Sequence, residues 1–175
     1  MGGLAGRTVV LFGRGPVRDA LRERLRGSSS HVLIADDVTH SDRPIDGAVI
    51  SLESVHRTPG TLSLGMFSVV ELLQQSAERF PGPRQRVVVV APLRDQKRQR
   101  LVTRMLETLA LYLDAPSRVV LDVVQPTVAR GADFVPAASE LTLGLLSGSL
   151  DSEQSGVFTV EAFSARRRSD TLAEP

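Results

Sequence analysis

The sequence predicts an α/β fold built on a doubly wound parallel sheet of about six strands, held in one domain. Three features lead there. Short apolar, β-branched runs alternate with longer stretches whose apolar residues recur at helical spacing, the pattern of strands joined by right-handed helical crossovers. The run Arg86-Val87-Val88-Val89-Val90 is apolar without alternation, as in a parallel strand covered on both faces. The first run, Arg7-Thr8-Val9-Val10-Leu11-Phe12, ends at Gly13 and Gly15, with Pro16 placed to open a helix at its first turn.

The elements follow in order. A helix over 16–26 carries Val17, Ala20, Leu21 and Leu25 on the face it lays against the sheet. Ser28, Ser29 and Ser30 break it, and His31-Val32-Leu33-Ile34-Ala35 forms the second strand. Residues 36–46 are polar, turn-rich and too short for a helix plus a strand. The third strand, Gly47-Ala48-Val49-Ile50-Ser51, is therefore expected straight after a loop, and one unit of a complete doubly wound sheet is expected to be missing. A helix from about Thr61 to Phe80 has Leu62, Phe67, Val69, Val70, Leu72 and Leu73 apolar and stops at Pro81-Gly82-Pro83. After the valine run, a helix from about Asp95 to Leu113 carries Leu101, Val102, Met105, Leu106, Leu109 and Leu113, and ends before Pro116. Val119 to Val124 is the next strand, closed by Gln125-Pro126. A loop rich in Gly, Ala and Pro leads to a short helix near 138–147, and Gly156 to Ala162 is the last strand. Residues 1–164 form one shortened domain and 165–175 a flexible tail.

Composition narrows the function. The chain has 175 residues, 42% hydrophobic and 23% charged, enough for a sizeable core. A net charge of +1 gives no global field toward nucleic acid or a membrane, and neither is expected as a partner. No run approaches a spanning helix and the N-terminus has no apolar h-region, so a cytoplasmic location is expected. Without cysteine there is no disulfide, thiol nucleophile or thiolate metal site. His31, His40 and His56 lack metal-ligand spacing, so no metal is expected. All basic residues but one are arginine, a bias of GC-rich genomes such as those of actinobacteria.

The order and spacing of VVLFGRGPVRDALRERL, DGAVIS, RVVVVAP, LVTRMLETLALYLDAPSRVVLDVVQPTVARG and ELTLGLLSGSLDSEQSGVFTVEA resemble a short-chain dehydrogenase/reductase, in particular its 3-oxoacyl reductase branch. The likeness runs from Arg7 to Ala162 and implies a Rossmann-like fold, shortened relative to the family. It also implies a mechanism: a Tyr-x-x-x-Lys pair in which lysine lowers the tyrosine pKa and tyrosine exchanges the proton, with an upstream serine orienting the substrate oxygen. Aligned on LETLALYL, this chain places Asp95 at the tyrosine, Gln99 at the lysine and Ala91 at the serine. No other register restores the pair, because the single tyrosine, Tyr112, follows the single lysine, Lys97. These are degenerate positions, and no catalytic residue is assigned.

The cofactor side is eroded in the same way. Family members have three glycines in the first turn, whereas Gly13-Arg14-Gly15-Pro16-Val17 is shorter and puts Val17 at the third, a branched side chain where backbone should approach a phosphate. The strand ending Ile50-Ser51-Leu52-Glu53 lacks the Asn-Asn-Ala-Gly stretch of relatives. Gly13, Gly15 and an acidic residue after the second strand, Asp36 or Asp37, remain as a vestigial cofactor site. The glycines also read as an ordinary tight turn. Arg14 and Arg18 stand near a helix N-terminus, which favours anions, or are simply solvated.

The long helices keep broad apolar faces. In the family they resemble the pair that forms the subunit interface, which makes Phe67, Val70, Leu73, Leu101, Met105 and Leu109 interface candidates. The resemblance therefore implies an inactive subunit, binding no cofactor itself, that pairs with an active paralogue holding NAD(P) in a heterodimer or α2β2 tetramer. The basic cluster Arg94, Lys97, Arg98, Arg100 and Arg104 fits coenzyme A phosphates or an acyl carrier protein, and equally the exposed side of an amphipathic helix. Two alternatives stand beside this. One is a dehydratase or isomerase reusing the crevice through Asp95 or His56. The other is a homodimeric sensor of a nucleotide or acyl-CoA. Ser51, Ser54 and His56 do not form a hydrolase site, since no Gly-x-Ser-x-Gly elbow is present.

Overall fold

The computed structural model describes residues 4–28, 30–34, 46–53, 85–91, 97, 100, 104, 119–125, 133–150 and 156–161. They form six strands, β1 (Thr8–Gly13), β2 (His31–Ile34), β3 (Gly47–Ser51), β4 (Gln85–Val90), β5 (Val119–Gln125) and β6 (Gly156–Thr159), with helices α1 (Pro16–Gly27) and α2 (Phe134–Ser147). The strands make one sheet in the order β2-β1-β3-β4-β5-β6, parallel at every pairing. The fold is α/β and Rossmann-like, as the alternation of patterns predicts. β3 pairs directly with β1, and β2 ends the sheet among the described residues.

In a parallel sheet, neighbouring residues in register share a face. One row holds Val9, Leu11, Val49, Val88, Val90 and Val124, and these pack with Val17, Leu21 and Leu25 of α1 and with Phe134, Ala138, Leu141, Leu145 and Leu146 of α2. The opposite row, Val10, Ala48, Ile50, Val87, Val89 and Val123, is buried too. Burial on both faces explains why the Val87–Val90 run does not alternate. Each fully buried valine or leucine contributes about 1.5–3 kcal/mol relative to exposure, set against the ordering entropy of the chain.

Two boundaries differ from the sequence reading. The helix expected near 138–147 begins at Phe134, because Pro136 falls in the first turn, where a missing N–H costs nothing and the fixed φ suits a helix. The strand expected to reach Ala162 ends at Thr159, opposite Gln125. Among the described residues that is the last pair of the ladder, and the backbone is helical at Val160 and Glu161. The helices expected at 61–80 and 95–113, with Phe67, Val70, Leu73, Leu101, Met105 and Leu109, lie outside the described residues except that Lys97, Arg100 and Arg104 are helical and exposed.

The amino ends of the strands are tied by Asp46. Its Oδ2 accepts from the Thr8 N–H at 2.7 Å, while its own N–H donates to the Thr8 carbonyl at 2.8 Å. Asp46→Ala removes the first of these and is expected to lower unfolding stability by about 1 kcal/mol, read as a shift of the urea midpoint with an unchanged slope.

Candidate functional site

Open parallel sheets bind ligands beyond the carboxyl ends of their strands, where the strand order reverses. Here the chain leaves β1 toward β2, and β3 pairs on the other side of β1. The reversal therefore lies between the carboxyl ends of β1 and β3. Gly13, Arg14 and Gly15 reach it from one strand, and Ser51, Leu52 and Glu53 from the other.

Both glycines are required by geometry. Gly13 has φ +78°, and a Cβ there would fall on the carbonyl oxygen of Ser51, its register partner. Gly15, the residue before α1, has φ 148° and ψ 167°, a backbone region that is essentially glycine-only. A Cβ on it would overlap the side chain of Glu53.

Glycine at the cap position has no side chain to meet the free N–H groups of a helix start. Glu53 supplies that cap from the other strand. Its Oε2 accepts from the Val17 N–H at 3.0 Å and lies 3.4 Å from the Arg18 N–H. The Ser51 hydroxyl donates to the same oxygen at 2.9 Å, and the Glu53 N–H faces the Ser51 Oγ at 3.4 Å. Glu53 is only 7% exposed, and a carboxylate tolerates such burial when donors and the positive end of a helix dipole face it. The anion at the start of α1 is thus the chain's own.

The other predicted residues fall as follows. Gly13 and Gly15 are in the crevice. Ala91 follows β4, buried, with its N–H donating to the Val124 carbonyl at 2.9 Å; it brings no hydroxyl. Arg14 is exposed, and Arg18 pairs with Asp19 at 2.8 Å. Val17 corrects the sequence argument: it is fully buried among Leu21 and Leu25, so its branched side chain points into the core and only its N–H faces the anion position. The side chain that does face it is that of Glu53. Asp36, Asp37, Ser54, His56, Asp95 and Gln99 lie outside the described residues. Among the described residues no group of three His, Asp or Glu could hold a metal, and no helix is long and apolar enough to cross a membrane.

One buried ion pair lies away from the crevice. Arg86, near the amino end of β4, places Nε 3.3 Å from Asp122 Oδ2 on β5. Its Nη1 donates to the Leu145 carbonyl of α2 at 2.7 Å and points to that of Leu150 at 3.4 Å. Asp122 is fully buried. Burial pushes its pKa up to about 6, against the opposing pull of Arg86 and of the Gly156 N–H. This carboxylate, inside a strand and 3.3 Å from an arginine that also holds the Leu145 carbonyl, belongs to the packing of β4, β5 and α2.

No protein-family model matches the chain, and no curated protein matches it. Solved structures do. A short-chain dehydrogenase from Leptospira borgpetersenii serovar Hardjo-bovis, determined with bound NAD+, superposes with a TM-score of 0.68 at 10% identity, over 90% of this chain and 92% of that one. The enoyl-[acyl-carrier-protein] reductase (NADH) of Aquifex aeolicus gives 0.61 at 11% identity, over 90% and 96%. At such identities the likeness concerns the fold, and this chain has the fold of those two proteins.

Proposed function

We propose that this chain is a catalytically inactive, degenerate short-chain dehydrogenase/reductase-like subunit that pairs with and stabilises an active paralogue of ketoreductase or hydroxyacyl-CoA dehydrogenase type. The partner supplies tyrosine, lysine and NAD(P). This chain supplies the interface and a wall of the assembly, and its Arg-rich helix offers a surface to acyl carrier protein or acyl-CoA. One observation carries the reading: a fold superposing on a dehydrogenase over 90% of its length belongs to a sequence whose single lysine, Lys97, precedes its single tyrosine, Tyr112. No Tyr-x-x-x-Lys pair can then be assembled by any local rearrangement. The scaffold is kept and the proton-transfer pair is not, which is what an associating subunit requires.

Native mass spectrometry of the tagged protein, purified gently from its own host, tests this. The expected species contains a stoichiometric second chain that carries Tyr-x-x-x-Lys. Isolation as a homodimer alone, from cells expressing such paralogues, overturns the subunit reading and turns attention to the crevice at Gly13, Ser51 and Asp95.

A further inference from the structure

We propose that Glu53 is a built-in anion that closes the phosphate position of the switch-point crevice, so that the glycine turn serves an internal carboxylate instead of a nucleotide. A parallel sheet of this order presents helix N–H groups to an anion beyond β1. In this chain the groups that would face a phosphate, the N–H of Val17 and of Arg18, face Glu53 Oε2 at 3.0 and 3.4 Å.

Three features separate this from a side chain that happens to lie nearby. The carboxylate is buried and so cannot be a loosely tethered surface group. It is held from behind by the Ser51 hydroxyl at 2.9 Å, which fixes Oε2 toward α1. And its methylene and carboxyl carbons occupy the space above Gly15, where a Cβ could not fit. The close approach that glycine permits at this turn is used by Glu53. A phosphate oxygen at the same N–H groups would have to displace a carboxylate that already neutralises the helix end, and before displacement would meet its charge at short range.

The inference deepens the reading of the chain as a subunit without a dinucleotide of its own. Its test turns on whether phosphate selectively restores stability lost at the start of α1, so a failed search for a partner leaves it standing, and its failure leaves the partner search standing. Wild type, Glu53→Ala and Glu53→Gln are melted in chloride and in inorganic phosphate or pyrophosphate at matched ionic strength. Wild type is expected to show only the small, non-saturating rise that phosphate gives folded proteins generally. Glu53→Ala is expected to melt roughly 5 °C lower in chloride, and to regain much of that loss with a saturating dependence on phosphate. Glu53→Gln keeps the size and one acceptor oxygen while losing the charge, and is expected to show a smaller rescue. If Glu53→Ala folds only in phosphate, that too supports the proposal. If it folds in neither anion, Glu53→Gln decides, with phosphate-specific rescue in support and its absence against. Equal saturating responses in wild type and variants overturn it, because the position would then be open with Glu53 in place, and a Glu53→Ala response no larger than the general rise of wild type overturns it as well, because no anion would then take the vacated position.

Discussion

Gly13→Ala is expected to lower the unfolding free energy by roughly 3 kcal/mol or more. Two costs combine. A φ of +78° charges an alanine about 1–2 kcal/mol for the left-handed region. The added Cβ also falls on the Ser51 carbonyl oxygen, and this neighbour is backbone in the register partner of Gly13, so it cannot swing aside as a side-chain tip would. The strands must separate at their carboxyl ends, which also draws Glu53 from the start of α1. Gly148→Ala separates the two costs, since φ is +74° there but no described residue lies within 4 Å of the new carbon. It is expected to lose only about 1 kcal/mol. Equilibrium urea unfolding of both variants checks the comparison, and equal losses would show that the contact with Ser51 carries no weight.

That contact also shows what was legible in the sequence. The strands were, because their information is local. The unbroken apolar run before Ala91 marks a doubly covered strand, and Pro16 marks the start of α1. Positions such as Pro136 misled because a proline reads as a loop until its place in the first turn is known. The site was half legible. Gly13 and Gly15 signalled a tight turn at the end of the first strand, but the sequence could not say what the turn served. The answer lies on Glu53, 38 residues from Gly15 along the chain and adjacent only once β1 and β3 pair. Its signal was a Ser-x-Glu at the end of the strand across the switch point, an acidic group where a cofactor's phosphate would meet like charge. Reading Val17 as the obstacle failed for a related reason: spacing assigns a residue to a turn, but the pitch of the helix decides whether its side chain or its N–H faces the crevice.

Arg86→Met is expected to be the other severe change, costing roughly 3–5 kcal/mol near neutral pH. It strands Asp122, which has no exposure to water, and it leaves the Leu145 carbonyl of α2 without its 2.7 Å donor. The loss must depend on pH with a defined sign. The folded pKa of Asp122, about 6, lies above its ordinary 3.8. The group's contribution to stability is therefore fully present below about 3.8 and is lost as pH rises through about 6. Over that window it amounts to roughly 3 kcal/mol. Removing the arginine removes the pull that holds this pKa down, so in Arg86→Met the loss continues to higher pH, and the variant should recover much of its stability on acidification. Asp122→Asn abolishes this component. Its stability should lie within about 1 kcal/mol of wild type at neutral pH, since the amide needs no countercharge and Arg86 keeps its carbonyl partners. The double variant should be less damaged than Arg86→Met alone, because no buried charge remains to be stranded. Denaturant midpoints at pH 4.5, 6 and 7.5 for the four proteins complete the cycle. Parallel pH curves for wild type and Asp122→Asn would mean that Asp122 keeps an ordinary carboxylate pKa, and that the Arg86 pair stabilises the β4, β5 and α2 junction through hydrogen-bond geometry and not through charge.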